Sequence, residues 1–453
     1  MPMARPAHAT PRSFFSRFKS TRHPSAASRP RRHRKPLWFL LLVAAAAVGG
    51  YYWVTSAPAL SQPVELGYGP LTPAFADSSG PLLSAPFVPG NRISLYSNGD
   101  EFFPAMLADI RAAQHTVTLE AYIWSSGDIS NQFIAALSER AHAGVKVHVL
   151  VDGMGMRKLT LADQNRMLDA GIEFVVYGHE HWWQLKADLN HRTHRKLLVV
   201  DGRVGYTGGV CFDDAWTGNA TSLEHWRDIQ LRAEGPVVLE MQSVFAANWL
   251  QTTGRLLVGP GYFLPPGRVG DATALCFKSG PREGAQNARI SYLLAIASAR
   301  HSIQIAHAYF TPDDLAVDML IAARARGVTV DVIVPEVNDS GFGRAASRSR
   351  WGRLLAAGVK FHRFQPAMYH AKMMIVDDGF VTLGSVNFDG RSLGGMNDEA
   401  NVNVLDRGVA AQALQLFEHD LRQSQPQTPV AFAARPLWQR AVDNFCGLFR
   451  WLL

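Results

Sequence analysis

Cysteine is scarce. The 453 residues hold three, Cys211, Cys276 and Cys446, too few and too scattered for a disulfide framework or a metal-binding knuckle. A single disulfide stays open, but small buried thiols account for them more simply. Acidic residues are missing from positions 1–36, which carry ten Lys and Arg (Arg5, Arg12, Arg17, Lys19, Arg22, Arg29, Arg31, Arg32, Arg34, Lys35). The net charge of +7 therefore belongs to this tail. The remainder has 35 basic residues against 38 acidic ones, a net of −3. That balance argues against a broad nucleic-acid-binding face, though not against a narrow basic cleft. With 47% apolar residues, wholesale disorder is not expected.

Charge is also missing from residues 37–54, LWFLLLVAAAAVGGYYWV. Eighteen such residues reach the lower end of bilayer-spanning length. Tyr51, Tyr52 and Trp53 stand where an interfacial aromatic belt would be, and the preceding positive charge keeps the tail cytoplasmic and sends the rest outward. A cleaved signal peptide is the rival reading. The long basic region before the run, and Pro58 after the small-residue site Thr55-Ser56-Ala57, favour an uncleaved anchor. Residues 55–90, rich in Pro, Gly and Ser, read as a linker.

From Arg92 the pattern becomes α/β. Strands are expected at 92–96, 116–124 and 145–151, with helices at 101–113 and 129–143. The same order returns as a helix at 288–299, a strand at 302–310, a helix at 315–326 and a strand at 328–334. AGVKVHVLV and RGVTVDVIV match directly, as do LEAYIW and IAHAYF. The chain is thus duplicated, with halves at 91–255 and 288–425, a connection at 256–287 and a tail at 426–453. The strand–helix alternation predicts right-handed crossovers and a largely parallel sheet.

Each half carries one copy of an unusual string. The first is His194-Arg195-Lys196 followed by Asp201 and Gly208-Gly209-Val210-Cys211. The second is His370-Ala371-Lys372 followed by Asp377 and Gly384-Ser385-Val386-Asn387. A lone H-x-K is weak. Two copies of H-x-K-x4-D, 176 residues apart at equivalent points of a duplicated unit, are not. The pattern resembles the phospholipase D superfamily over about residues 92–423. The strings TGGV, HWRD (225–228) and NDEAN (397–401) are similar to those of the bacterial cardiolipin synthases. The resemblance implies two α/β/α halves packed about a pseudo-twofold axis.

Residues two apart on a strand share a face, so each His and its Lys point the same way. The halves, folded face to face, would gather two imidazoles and two ammonium groups in one hollow. His194 and His370 can supply a nucleophile and an acid/base pair. Lys196 and Lys372 can supply positive charge for a phosphodiester, so no metal or other cofactor is needed. Asp201 and Asp377 complete the motif and, at an odd offset from the histidines, read as scaffold residues at the site edge. Asp228 and Glu399 are candidate orienting carboxylates for the imidazoles, as similarly placed acids are in the resembling family. Ser385 and Asn387 resemble that family's polar support for the phosphate pocket. The first half departs there, with Gly209 and Cys211. Spacing does not decide which histidine attacks; the resemblance implies His194.

The resemblance further implies a membrane-bound phosphatidyltransferase acting on phosphatidylglycerol through a phosphohistidine. The alternatives are a phospholipase D hydrolase, a nuclease using the same four residues, or a non-catalytic lipid-binding scaffold. The expected partners are phospholipid and bilayer, not nucleic acid. The anchor favours lipid. So does Trp182-Trp183 ahead of the first motif, which could dip into lipid or pack internally. The expected location is a bacterial inner membrane, single-pass, with the catalytic part outside. The segment Pro436–Leu453 has helical apolar spacing. It suits an interfacial amphipathic helix or one packed on the domain.

Overall fold

The computed structural model describes residues 60–178, 191–264 and 267–450, together with Phe39 and Val43. The basic tail, nearly all of the expected span at 37–54, and Trp182-Trp183 lie outside the described residues. Among the described residues no helix is long and apolar enough to cross a membrane. The chain divides at Ala59/Leu60, and everything below concerns the part from Leu60 onward.

The expected strands form because β-branched and apolar residues cluster in short runs closed by turn residues. In the first half, β1 (Val88–Ser97), β2 (Thr116–Ala121), β3 (Lys146–Asp152) and β4 (Glu173–Tyr177) are joined by helices. A two-residue strand, β5 (Arg192–Thr193), follows. Then come the hairpin β6 (Leu197–Val200) and β7 (Val204–Gly208), and β8 (Ile229–Glu234). The second half repeats the plan: β9 (Ala272–Ser279), β10 (Ser302–His307), β11 (Thr329–Pro335), β12 (Lys360–Phe364), β13 (Lys372–Val376), β14 (Phe380–Gly384) and β15 (Asn397–Leu405). A short edge strand, β16 (Ser424–Gln427), ends the series.

All of these belong to one continuous sheet, ordered β16-β12-β11-β10-β13-β14-β15-β9-β1-β8-β7-β6-β2-β3-β4, with β5 off the path against β15. The order is symmetric about the β9–β1 junction, where Val88 faces Ala274 and Asn91 faces Ala272. The halves therefore meet edge to edge in a shared sheet, not face to face as expected. Helices cover both faces. One face packs separate cores for the first and second halves. On the other, helices Val237–Thr253 and Arg407–Arg422 share a core that includes Ile93, Leu231, Ala274 and Val402 from the seam.

Three expectations need correction. Only β2-β3-β4 and β10-β11-β12 run parallel, with β5 on β15. The sheet is mixed because the motif strands return as antiparallel hairpins. The linker ends earlier than residue 90. Leu60, Val64, Leu66 and Tyr68 pack on the second-half core, and Pro73–Leu82 is a helix whose Phe75 ring meets Phe380 at 5.6 Å. Prolines and glycines masked that apolar content. The connection at 256–287 likewise contains β9, a nearly fully buried strand at the seam. All three cysteines are free and buried.

The motif aspartates serve the scaffold. Asp201 accepts hydrogen bonds from the amides of Gln114, His115 and Thr116 at 2.8, 2.7 and 2.8 Å. Asp377 does the same for Arg300, His301 and Ser302 at 2.7, 2.7 and 3.0 Å. Each ties the turn after the motif strand to the start of the neighbouring strand. Each also adopts a left-handed backbone, φ 52° and 51°, which Asp tolerates better than most residues. Asp201→Ala strands several amide donors and should cost about 2–3 kcal/mol of stability. Denaturant unfolding of the variant checks this; an unchanged midpoint would refute the scaffold role.

Candidate active site

The two histidines are delivered by short segments that cross from one half to the other. β5 runs parallel to the start of β15, pairing Arg192 with Asn397 and Thr193 with Asp398. The His194 amide then donates to the Asp398 carbonyl at 2.8 Å. The second half mirrors this. Tyr369 bridges to Arg227 in parallel, and the His370 amide donates to the Arg227 carbonyl at 2.7 Å. In both cases the next residue on the partner strand is an acid. His194 Nδ1 accordingly lies 3.0 Å from both oxygens of Glu399, and His370 Nδ1 lies 2.8 Å from Asp228. Each imidazole is thus backed by a carboxylate from the opposite half.

Buried side chains hold the crossing segments. Arg227 is buried and donates to Asp420 at 2.8 Å, and Tyr369 donates to the same carboxylate at 2.8 Å. On the other side, fully buried Arg195 donates to the carbonyls of Glu399 and Val244 at 3.3 and 2.9 Å. A buried guanidinium without such partners would cost several kcal/mol.

The two carboxylates are supported differently. Glu399 accepts from the hydroxyls of Ser385 at 2.5 Å and Ser392 at 2.7 Å. Asp228 accepts from the Trp216 indole at 2.9 Å and from its own strand's Ile229 amide at 2.8 Å. Trp216 follows Gly209 by seven positions, as Ser392 follows Ser385, so an alignment of the repeats would have flagged both. The glycine has a physical cause: a Cβ at Gly209 would sit 2.5 Å from both Asp228 oxygens. Ser385 therefore does not line the cavity, contrary to the phosphate-support expectation. Its hydroxyl is spent on Glu399.

His194, Lys196, His370, Asn387 and Asp389 open into one cavity of about 460 Å³, walled also by Tyr122, Trp226, Tyr309, Arg192, Arg391 and Cys211. That volume suits a small ligand group. The Asn387 amide oxygen is buried without a hydrogen-bond partner. Asp201 and Asp377 do not reach the cavity. The aromatic walls were not legible as site residues. The Tyr122 ring lies 5.1 Å from the His194 ring, while Trp216 and Trp226 lie 5.2 and 5.3 Å from His370.

Burial governs the electrostatics. It lowers the pKa of both histidines to about 4, assisted by the nearby lysine ammonium groups and opposed by the paired carboxylates. Both rings are therefore favoured in the neutral form at pH 7. For Asp228 and Glu399 burial opposes ionisation, but the paired imidazoles and lysines hold both carboxyls below their ordinary values. Lys196 donates to the His194 carbonyl at 2.8 Å. Lys372 donates to the His370 carbonyl at 2.7 Å and lies 3.1 Å from Nε2 and 3.2 Å from Nδ1 of the His370 ring. Burial first, with Lys196 adding to it against Asp228, brings the Lys372 pKa down to about 8.

A duplicated α/β fold with two imidazoles, two lysines and two carboxylates about one hollow defines a phosphodiester-processing enzyme of the phospholipase D class. The family described as "Cardiolipin synthase, PLD-like domain" matches residues 106–249 and 292–421. A probable cardiolipin synthase of Bacillus subtilis (strain 168), YwiE, is 31% identical over 80% of this chain and 72% of its own length. Cardiolipin synthase of Geobacillus thermodenitrificans is 32% identical over the same shares. In fold, the chain is similar to phosphatidylserine synthase of Haemophilus influenzae, with a TM-score of 0.62 at 14% identity over 83% of this chain and 99% of that one. The chain belongs to the cardiolipin synthase branch of the phospholipase D superfamily and is an enzyme of the phosphatidyltransferase type.

Two outcomes follow. Gly209→Ala displaces Asp228 and with it His370, and should lower kcat by about 10²-fold, since small misplacements of catalytic groups cost that much. Turnover of the purified variant checks this; full activity would mean the Asp228 contact does not position His370. Lys372 loses its proton as pH rises through about 8, so kcat/KM should fall above that pH. A profile flat well beyond it would show that the Lys372 charge is not needed.

Proposed function

We propose that the chain transfers a phosphatidyl group from phosphatidylglycerol, through a phosphohistidine, to the hydroxyl of a second phosphatidylglycerol. The observation that carries this reading is the pair of lysine-attended imidazoles in one cavity, each backed by the other half's carboxylate. The names of the relatives supply the lipid class.

His194 is the proposed nucleophile. Lys372 Nζ lies 3.1 Å from Nε2 and 3.2 Å from Nδ1 of His370, while among the described residues no hydrogen bond occupies His194 Nε2. Its Nδ1–H donates to Glu399, which leaves the Nε2 lone pair free to attack phosphorus. The P–N bond forms as the P–O bond to glycerol breaks. His370 gives its proton to the departing alkoxide. The hydroxyl of the second phosphatidylglycerol then returns a proton to His370, attacks phosphorus and breaks the P–N bond. Cardiolipin forms and both imidazoles return to their starting states.

The free-enzyme His370 is neutral at pH 7, yet the first step needs it protonated. The entering phosphodiester carries a negative charge close to both lysines. That charge offsets the ammonium groups and raises the imidazole pKa values, favouring protonation in the complex. Glu399 and Asp228 stabilise positive charge on the rings as it develops. The lysines, with the Asn387 amide turned toward the ligand, hold the equatorial oxygens. Localisation is part of the proposal. The uncharged run at 37–54 anchors the chain in a bacterial inner membrane, with the catalytic part outside.

Detergent-solubilised full chain should convert phosphatidylglycerol to cardiolipin and release glycerol in step. Phosphatidic acid as the product would make it a hydrolase, and a cut single-stranded oligonucleotide would make it a nuclease. His194→Ala should abolish turnover and any acid-labile, base-stable phosphoenzyme. Retained phosphoenzyme would move the nucleophile elsewhere.

A further inference from the structure

The C-terminal helix Leu437–Leu448 lies antiparallel on helix Gly341–Ala356. Asp443 pairs with Arg348 at 2.7 Å, and Cys446 packs on Ala345 and Ala346. Ahead of it, Phe432 reaches Gly352. The face it docks is the small and polar one: Asp443, Cys446 and Gly447 are buried. The opposite face carries Leu437, Trp438, Phe445 and Leu448, each 61–79% exposed. An ordinary surface helix does the reverse. A continuous apolar stripe on the outside marks an interaction surface.

Beside this stripe is a second cavity, of about 380 Å³, whose lining combines Arg348, Arg435, Arg440 and Asn444 with the apolar Leu355 and Phe432. Arg348 and Arg435 share one carboxylate, Asp443. The guanidinium of exposed Arg440 has no hydrogen-bond or ion-pair partner among the described residues, so three arginines face one carboxylate there and the cavity carries excess positive charge. The docking direction points the far end of the helix toward the catalytic opening. Helix Gly341–Ala356 starts at Ser340, which with Asp339 lines the catalytic cavity. Val337 and Phe342, on either side of that pair, are exposed.

We propose that this corner of the fold is a bilayer dock: the apolar stripe enters the membrane interface and the arginine cavity takes the phosphate of an anionic phospholipid molecule other than the one in the catalytic cavity. Apolar side chains flanked by cationic ones match the interfacial zone of an anionic leaflet. A protein partner would have to bring acidic groups to the cavity, whereas an anionic bilayer offers them at every point. The dock deepens the proposed lipid chemistry by setting the catalytic opening near the lipid surface, but its test does not depend on turnover.

The full chain carrying Leu437→Cys, labelled with an NBD fluorophore, is reconstituted in vesicles of phosphatidylcholine alone or with phosphatidylglycerol. Leu448→Cys serves as a second label site at the other end of the stripe. Emission at both sites should shift to the blue and be quenched by doxyl-labelled acyl chains, more strongly with phosphatidylglycerol. Arg440→Glu should remove that preference. Water-like emission in both vesicles overturns the dock. A blue shift that doxyl lipid does not quench assigns the stripe to a second copy or another segment of the chain, and also overturns it. Equal quenching in both vesicles rejects the arginine cavity as a head-group site. Failure to form cardiolipin with quenching intact sinks the proposed reaction and leaves the dock standing.

Discussion

Two short parallel bridges, β5 on β15 and Tyr369 on Arg227, set the chemistry of the site. A strand register is an integer quantity, and a slip of one residue turns every side chain to the other face. With Thr193 opposite Asp398, His194 falls beside Glu399; with Tyr369 opposite Arg227, His370 falls beside Asp228. At this site neither half pairs its own motif histidine with its own carboxylate. Duplication here yields two interdependent parts of one site, and the continuous sheet through β9 and β1 keeps the register between them.

The duplicated parts have since diverged where symmetry would be a handicap. A nucleophile and an acid/base need unlike surroundings even when their side chains are alike. Glu399 rests on two hydroxyls, while Asp228 rests on an indole and fills the space left by Gly209. His194 has a tyrosine edge beside it. His370 lies beside two tryptophans and has the Lys372 ammonium within 3.2 Å of both ring nitrogens. Asn387 on one side answers Cys211 on the other. The two rings are thus chemically distinct before any substrate arrives.

Much of this is written locally and could be read from the chain. The strands at 116 and 145, their copies at 302 and 328, and the His–Lys pairs follow period-two patterning and turn residues. What could not be read was non-local. Nothing in HWRD or NDEAN says which histidine lies across from which acid, since that depends on a register between segments some 200 residues apart. Nor does β propensity tell parallel from antiparallel neighbours, so the mixed sheet was missed. The stretch from Leu60 to Leu83 failed for another reason. Its prolines and glycines mark turns correctly, but Phe75 and Leu83 between them are buried in the second-half core. Ser385 was misplaced because a hydroxyl two residues from Asn387 can serve either a ligand or a neighbouring carboxylate, and composition does not distinguish these.

The innermost groups also balance in charge. Two lysines accompany two carboxylates, and burial favours the neutral form of both imidazoles. Burying four unlike charges together is tolerable where burying two lysines alone would not be. Each carboxylate holds the Nδ1 of its ring, and Lys196 lines the cavity beside the two imidazoles, so a phosphodiester bound there would lie close to positive charge. Its own charge then tips the balance, and the imidazoles are the groups that can respond by taking up a proton. The low imidazole pKa is therefore compatible with the acid role proposed for His370, because the charge of a bound phosphodiester would raise it.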